Sequence, residues 1–283
     1  MEPSNTMSQN TSPRIAFIGG GNMASAIIGG LIQQGLPADH ITVVEPFEGS
    51  RDNLHKSFGL TAFADAHSAA APLAAVDLVV WAVKPQMFKE AALPVSPLTR
   101  HALHLSVAAG ITTDSIAQWV GTGRVTRAMP NTPALVGKGM TGLFPRPDVT
   151  ADDRSLVERV IGSTGQFVWV AQESHLDAVT AISGSGPAYV FLFLEAMTQA
   201  GVNMGLTEQQ SYQLAVATFQ GASELAARSD EPASTLRERV TSKGGTTYAA
   251  ITHMQATQVP EHFVEAMRKA ETRAQELAAE FGR

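Results

Sequence analysis

Three glycine-rich segments of the chain have residue types that suit the binding of anions. The first reads RIAFIGGGNMASAIIGG and places Gly19, Gly21 and Ala24 in a G-x-G-x-x-A pattern between an apolar run and a helix-like stretch. Gly19 permits a tight turn, Gly21 lets a pyrophosphate approach the backbone, and Ala24 lets helix and strand pack closely. Because the start of a helix also offers unpaired N–H groups, this segment predicts a dinucleotide-binding turn.

The acidic residue that would contact the ribose of such a cofactor is Glu45, at the end of a second apolar run. An acid at this position accepts hydrogen bonds from a ribose 2'-hydroxyl and repels a 2'-phosphate, so Glu45 taken alone favours NAD. Arg51 lies close enough in sequence to reach a 2'-phosphate, although it reads equally well as a solvated helix charge. The sequence leaves the choice between NAD and NADP open.

Two segments that follow other apolar runs contain prolines and polar groups. In WAVKPQ, Pro85 ends a buried strand at the edge where open parallel sheets bind ligands, and Lys84 would then lie over the cofactor. A simple end of the strand is the alternative. In MPNTP, two prolines fix a short loop that presents Asn131 and Thr132 at the same edge.

The second and third glycine-rich segments are ISGSGPAY, residues 182–189, and VTSKGGTTYAAI, residues 240–251. In each, glycines and small hydroxyl residues come directly before a predicted helix, an arrangement that makes a concavity of backbone N–H groups and hydroxyls. A carboxylate suits either concavity. Ordinary helix capping is the alternative interpretation of each segment taken alone.

Composition excludes several classes of function. The net charge is −6, and Lys and Arg form no runs, so we expect no nucleic-acid partner. Since the chain has no cysteine, redox chemistry must use a bound cofactor. We expect no metal site, because the one close histidine pair, His101 and His104, starts a strand whose alternation points the two side chains to opposite faces.

The sequence also indicates where the protein works. Residues 1–13 are polar and lack both the apolar stretch of a secretory signal and the arginines of a transit peptide, so we interpret them as a disordered tail. The apolar stretch Ala188 to Leu194 is far shorter than the roughly 20 residues that cross a bilayer. We therefore expect a cytoplasmic protein without membrane partners.

The alternation of short apolar runs with helix-like segments predicts an α/β Rossmann domain with a mostly parallel sheet over residues 14–172. The predicted strands are Ile15 to Ile18, Ile41 to Val44, Leu78 to Val83, Leu103 to Val107, Arg124 to Ala128, Thr141 to Phe144 and Phe167 to Val170. Near-continuous apolar runs such as LVVWAV indicate a sheet covered on both faces.

Residues 173–283 predict an all-α domain, because apolar residues there recur at three- and four-residue spacing. One helix should start at Pro187. Thr207 and Gln210 form a capping box before a helix that ends near Arg228, and a last helix should run from Glu261 to Phe281. The helix from Pro187 is apolar almost all round, so it must be covered on more than one side, and a second subunit is a candidate cover.

Together, the segments GGGNM, AVKP, MPNTP, SGSGPAY and TSKGGTT, the last with Ala250 and Ile251 downstream, resemble the pyrroline-5-carboxylate reductase family from Arg14 to the last helix. The resemblance implies reduction of the cyclic imine L-1-pyrroline-5-carboxylate to L-proline, the last step of proline biosynthesis, with NADPH or, as a second possibility, NADH. It also implies a homodimer built by the helical domain, with further assembly in some members.

The resemblance extends to individual residues. It places the cofactor on Ile18, Gly19, Gly20, Gly21, Asn22, Met23, Ala82, Val83, Lys84, Pro85, Val107, Ala108 and Ala109, beside the candidate Glu45. It places the carboxylate of a small-molecule substrate on Ser242, Gly244, Gly245, Thr246 and Thr247, to which the loop residues Asn131 and Ser185 add polar groups. The Thr247 hydroxyl would lie near the imine nitrogen as the catalytic donor. Lys243 departs from the proline that many members have.

Rival functions make different demands on the same residues. A hydroxy-acid dehydrogenase of similar build needs a proton acceptor, commonly Lys, on the helix that faces the nicotinamide, and PAYVFLFLEAM offers none. Another imine reductase would share the site and differ in substrate. A nucleotide-sensing protein without turnover would keep the glycine turn alone.

Overall fold

The structure, a computed structural model, describes residues 12–281, and the part of the chain from Ile15 to Trp169 forms one seven-stranded sheet. Its strands are β1 (Ile15–Ile18), β2 (Ile41–Val44), β3 (Leu78–Trp81), β4 (Leu103–Ser106), β5 (Val125–Met129), β6 (Gly139–Pro145) and β7 (Gly165–Trp169). Their order across the sheet is β2-β1-β3-β4-β5-β6-β7, and every neighbouring pair is parallel except β5 and β6. The predicted mostly parallel sheet is confirmed. Residues 1–11 of the predicted tail lie outside the described residues.

The sheet is covered on both faces, as its apolar strands predict. Because side chains alternate along a strand, Ile15 and Phe17 of β1 join a core on one face, while Ala16 and Ile18 join a second core on the other face. Strand β3 ends at Trp81, two residues earlier than predicted, since the chain then bends into the turn at Pro85–Met87. The backbone of Ala82, which directly follows β3, therefore lies close to the Gly19 turn.

The helices of the described residues are α1 (Asn22–Gln33), α2 (Glu48–Phe58), α3 (Ala70–Leu73), α4 (Phe88–Thr99), α5 (Thr113–Val120), α6 (Ala151–Gly162), α7 (His175–Val179), α8 (Gly186–Asn203), α9 (Glu208–Ala227), α10 (Ala233–Arg239), α11 (Thr246–Ala256) and α12 (Val259–Phe281). Helices α1 and α6 contribute to the first core, and α3, α4 and α5 contribute to the second. A π-helical turn, Thr180–Gly184, follows α7 directly.

The described chain divides into two compact units, residues 12–184 with 271–281 and residues 185–270. The first unit therefore includes α7, the π-helical turn and the end of α12. The sequence instead places the division between residues 172 and 173, and that boundary stays a prediction.

The second unit is helical, as predicted. Helix α8 begins at Gly186, one residue before the predicted start. The capping box of α9 is confirmed, because the Gln210 N–H donates to the Thr207 hydroxyl over 3.2 Å and the Thr207 N–H donates to the Gln210 side-chain oxygen over 3.0 Å. Helix α8 packs against α9.

Much apolar surface of α8 is exposed in the single chain. Only Leu194 of this helix is buried, and the exposed apolar side chains are Val190, Phe191, Leu192, Phe193, Met197 and Val202. A groove of about 790 Å³ opens between α8 and α9. By length and composition alone, the helical stretch His175–Asn203 within the described residues would also suffice to cross a membrane, and 11% of its most apolar window is buried. An exposed apolar surface of this kind is typical of a site that contacts another protein chain or a membrane.

A buried histidine is part of the second core. His104 in β4 accepts a hydrogen bond on Nδ1 from the Trp81 indole over 3.0 Å, and its Nε2 donates to the Thr99 carbonyl over 3.0 Å. The Trp81 ring also stacks on Phe88, with 4.7 Å between the centroids. Burial lowers the pKa of His104 to about 4, so the ring is neutral in the folded protein near neutral pH.

This histidine predicts a loss of stability in acid. The unfolded chain protonates His104 near pH 6.5 and the folded chain only near pH 4, so the histidine removes up to about 3 kcal/mol of stability as pH falls between these values and has no effect above pH 6.5. We expect the free energy of unfolding of His104→Asn, measured at pH 7.5, 6 and 5 and at one protein concentration, to fall less with acid than that of the wild type. His55→Asn, which replaces an exposed histidine, should keep the wild-type dependence; equal pH dependence of all three proteins would contradict the assignment.

Candidate active site

The turn after β1 is possible only for glycine. Gly19 has φ +96°, in the left-handed region, and a Cβ there would lie 2.6 Å from the carbonyl oxygen of Ala82. The Gly19 N–H donates to the Val44 carbonyl over 2.8 Å, which ties the turn to the end of β2. The chain can therefore turn sharply and begin α1 three residues later, at Asn22.

The N-terminus of α1 fits an anionic group. Its N-cap, Gly21, makes no side-chain capping bond, and nothing lies within 4 Å of the position where a Cβ of Gly21 would be. The first N–H groups of the helix, at Asn22, Met23 and Ala24, have no partner inside the helix. Open space in front of unpaired N–H groups suits the pyrophosphate of a dinucleotide.

The other segments assigned to the cofactor lie along the same edge of the sheet. Residues 82–85 follow β3 and residues 107–109 follow β4, and both strands run parallel to β1. The Ala82 N–H donates to the Ile18 carbonyl over 2.8 Å, and the Val107 N–H donates to the Trp81 carbonyl over 3.1 Å. The structure thus brings all three predicted segments together at the carboxyl ends of the strands, where open α/β sheets bind ligands.

Glu45 lies at this edge with its carboxylate already engaged. The residue is 5% exposed, one carboxylate oxygen accepts the Gly20 N–H over 2.6 Å, and the other accepts the Phe47 N–H over 2.9 Å. The predicted ribose contact stays a prediction. The hydrogen bond to Gly20 could not be found from sequence, because it depends on the shape of the glycine turn.

Asn131 holds the π-helical turn in the first unit. Its amide nitrogen donates to the Ser183 carbonyl and hydroxyl oxygens over 3.2 and 3.1 Å, and its amide oxygen accepts the Met140 N–H over 2.9 Å. A substrate contact of Asn131 stays a prediction. The sequence has glycines and small hydroxyl residues directly before a predicted helix at this segment, and it does not predict the π-helical turn, because such turns have no compositional signature.

The TSKGGTT segment forms a turn and a helix start in the second unit. Gly244 has φ +76°, and the Gly245 N–H donates to the Ser242 carbonyl over 3.0 Å. The positive φ of Gly244 favours glycine at that position, and a Cβ on Gly245 would lie 2.9 Å from the Ser242 hydroxyl. Helix α11 begins at Thr246 without a side-chain cap, which leaves its first N–H groups unpaired beside the half-buried Thr247.

Ser185, the other predicted substrate residue of the second unit, directly precedes α8. It is half-buried and makes no side-chain capping bond to that helix. The alternative interpretation of this segment, ordinary helix capping, requires the Ser185 hydroxyl to accept a hydrogen bond from the start of α8. The Ser185 hydroxyl makes no such bond.

An ion pair that the sequence does not predict joins Arg127 of β5 to Glu173. Arg127 in β5 is 4% exposed and donates to the Glu173 carboxylate over 3.1 Å, and this carboxylate also accepts the N–H and the hydroxyl of Thr113, each over 2.7 Å. Burial raises the pKa of the neighbouring Asp177 carboxyl, and Arg127 opposes that shift. The ion pair ties β5 to the start of α5. The sequence VTRAM does not indicate that its arginine has a partner, because Glu173 is 46 residues away in the chain.

Comparisons with known proteins agree with this arrangement. A family profile described as pyrroline-5-carboxylate reductase dimerisation matches residues 173–277, and one described as NADP oxidoreductase, coenzyme F420-dependent, matches residues 14–110. The pyrroline-5-carboxylate reductase of Pseudomonas aeruginosa is 40% identical over 274 residues, which are 96% of this chain and 99% of that protein.

Two solved structures are similar over nearly the whole chain. A pyrroline-5-carboxylate reductase from Coxiella burnetii has a TM-score of 0.88 at 36% identity, covering 94% of this chain and 99% of that one. The Plasmodium falciparum pyrroline carboxylate reductase, solved with NADP bound, has a TM-score of 0.82 at 26% identity, covering 94% of this chain and 98% of that one.

The geometry of Gly19 predicts a selective loss of cofactor binding. In Gly19→Ala, the methyl group must displace the Ala82 carbonyl as well as adopt a positive φ, so we expect the dissociation constant of NADPH, measured by nicotinamide fluorescence, to rise at least about tenfold. Gly35→Ala is the matched control, because Gly35 has φ +91° but nothing within 4 Å of its Cβ position. That variant should lose about 1 kcal/mol of stability and bind NADPH normally. Equal affinities of the two variants would contradict the role of the turn.

Proposed function

The chain belongs to the pyrroline-5-carboxylate reductase family, and from that premise we propose how its residues carry out the NAD(P)H-dependent reduction of L-1-pyrroline-5-carboxylate to L-proline. The observation that carries the assignment of residues is the uncapped start of α11 behind the Ser242–Gly245 turn. This segment suits a carboxylate and contains neither a histidine nor an acid.

The first unit holds the cofactor. The N–H groups at the start of α1 bind the pyrophosphate, and the chain segments after β3 and β4, residues 82–85 and 107–109, line the nicotinamide half along the sheet edge. When bound, the nicotinamide supplies a hydride from its C4 to the imine carbon. Gly19 and the Ala82 carbonyl fix the position of the turn and thereby of the bound dinucleotide.

The second unit holds the substrate carboxylate. We assign this role to the N–H groups of Gly245, Thr246 and Thr247 and to the hydroxyls of Ser242 and Thr246, with Gly244 shaping the turn and Ser185 contributing a further hydroxyl. The Thr247 hydroxyl orders the imine nitrogen, or a water that protonates it, and solvent is the final source of the proton. In the first unit, Asn131 holds Ser183 and the π-helical turn, and we keep it as a candidate substrate residue.

A protonated cyclic imine accepts hydride without a strong protein acid, because the positive charge on nitrogen already activates the neighbouring carbon. The protein then has mainly to hold two reactants in line, and orientation of this kind lowers reaction barriers by several kcal/mol. The TSKGGTT segment contains no histidine or carboxylate, which agrees with a reaction that needs no strong protein acid.

The protein forms a homo-oligomer that acts on a small molecule. We propose that the oligomer is built from a homodimer in which a second copy covers the exposed apolar side chains of α8 and the groove between α8 and α9. A partner subunit, rather than a lipid bilayer, then explains the apolar character of His175–Asn203, since the matched dimerisation profile includes this stretch. We further propose a cytoplasmic enzyme without nucleic-acid or membrane partners.

A direct assay tests the function. Purified protein with L-1-pyrroline-5-carboxylate should oxidise NADPH or NADH, seen as loss of the absorbance of the reduced nicotinamide, and should form L-proline in equal amount. No turnover with either cofactor would overturn the proposed function. Binding of NADPH without turnover would indicate a nucleotide-sensing protein instead.

Thr247 offers a test of the assigned site. Thr247→Ala removes the hydroxyl at the imine, so we expect kcat to fall about tenfold or more while the dissociation constant of NADPH stays unchanged. Thr247→Ser should restore most of the rate, because it returns the hydroxyl. Thr257→Ala, at the other end of α11, is the control and should behave as the wild type. A wild-type rate for Thr247→Ala would remove this residue from the mechanism.

A further inference from the structure

The carboxylate of Glu45 points into the glycine turn. Its two oxygens accept the N–H groups of Gly20 and Phe47, and its side chain packs so closely on the turn that a Cβ on Gly20 would lie 3.2 Å from its Cγ. With 5% of the residue exposed, little of the carboxylate is left for a ribose hydroxyl. An acid that reads the 2'-hydroxyl of NADH must instead be open to the cofactor.

Arg51 is anchored at the same end of β2. One guanidinium nitrogen, Nη1, donates to the backbone carbonyls of Glu45 and Pro46 over 3.0 and 2.6 Å. These bonds fix the plane of the guanidinium, while Nε and Nη2 still carry N–H groups that no hydrogen bond occupies in the described part of the chain. A fixed guanidinium with free donors is suited to bidentate binding of a phosphate.

No neighbouring acidic side chain in the described residues pairs with Arg51, so its guanidinium is available to a phosphate. Glu48 and Asp52 are its acidic neighbours along α2, both are exposed, and neither forms an ion pair with it in residues 12–281. Exposed carboxylates are screened by water and salt. The Glu45 carboxylate is buried, and its charge is compensated by two N–H groups, so its repulsion of a phosphate is reduced.

We propose that Arg51 selects NADPH by binding its 2'-phosphate, and that Glu45 is a positioning residue that holds the glycine turn and does not read the ribose. This proposal rests on the proposed function for the identity of the cofactor. It replaces the preference for NAD that an acid at the end of β2 predicts from sequence alone. The same acid that suggests NAD is turned away from the cofactor, and the anchored arginine decides the preference.

Binding measurements separate the two roles. Dissociation constants of NADPH and NADH would be measured by nicotinamide fluorescence without substrate. The wild type should bind NADPH at least about tenfold more tightly than NADH, and Arg51→Gln should remove most of that difference by weakening NADPH alone, because a charge-assisted hydrogen bond to phosphate is lost. Arg51→Lys should keep part of the preference. Lys56→Gln, which removes an exposed positive charge from the same helix, should change neither constant.

Glu45→Gln tests whether Glu45 holds the turn or contacts the ribose. Its amide nitrogen cannot accept the N–H of Gly20 or of Phe47, so the turn loosens, and we expect the affinities for NADPH and NADH to fall by the same factor. If Glu45 reads the ribose instead, this variant would weaken NADH selectively, and the proposal would be overturned. Equal weakening of both cofactors by Arg51→Gln, or no effect on either, would overturn it as well.

The failure of this inference and the failure of the proposed function can be told apart. A protein that shows this pattern of affinities but does not reduce the imine would contradict the proposed function alone. A protein that reduces the imine but has the same cofactor preference with and without Arg51 would contradict this inference alone. Thermal unfolding of Arg51→Gln and Arg51→Lys would show whether each variant is folded. If Arg51→Gln does not fold, the affinities of Arg51→Lys are used for the test.

Discussion

The close approach of the Gly19 backbone to the Ala82 carbonyl is the contact on which the cofactor half of the protein depends. It is possible only without a Cβ, and it lets the chain leave β1 and start α1 at the edge of the sheet. The chain segments after β2 and β3 are positioned against this turn, since Ala82 directly follows β3 and the Gly20 N–H donates to the Glu45 carboxylate. A backbone constraint of this kind explains why a helix N-terminus becomes an anion site here.

The proposed substrate site uses the same kind of anion-binding group, a helix N-terminus, in the second unit. The Ser242–Gly245 turn has Gly244 in the left-handed region, and α11 starts with unpaired N–H groups, as α1 does in the first unit. The TSKGGTT segment contains no histidine and no carboxylate, which fits a reaction whose substrate carries its own activating charge. Helix α8 of the same unit keeps much apolar surface exposed in the single chain, so the proposed substrate site and the proposed subunit interface belong to one unit.

Local patterns predicted most of this fold. Strands β1 to β4 were predictable because each is a short, mainly apolar run that is buried on both faces, and the capping box located the start of α9 from Thr207 and Gln210 alone. The inward orientation of Glu45 and the ion pair between Arg127 and Glu173 were not predictable. Both depend on groups that are far apart in sequence and meet only once the sheet has formed.

A crystal structure of the protein with NADP and L-proline would test the central claim, that the glycine turn holds the cofactor while the small-residue turn holds the carboxylate. We predict pyrophosphate oxygens at the N–H groups that begin α1, and proline carboxylate oxygens within about 3 Å of the N–H groups that begin α11. A proline carboxylate bound elsewhere, with the start of α11 facing only solvent, would contradict the account.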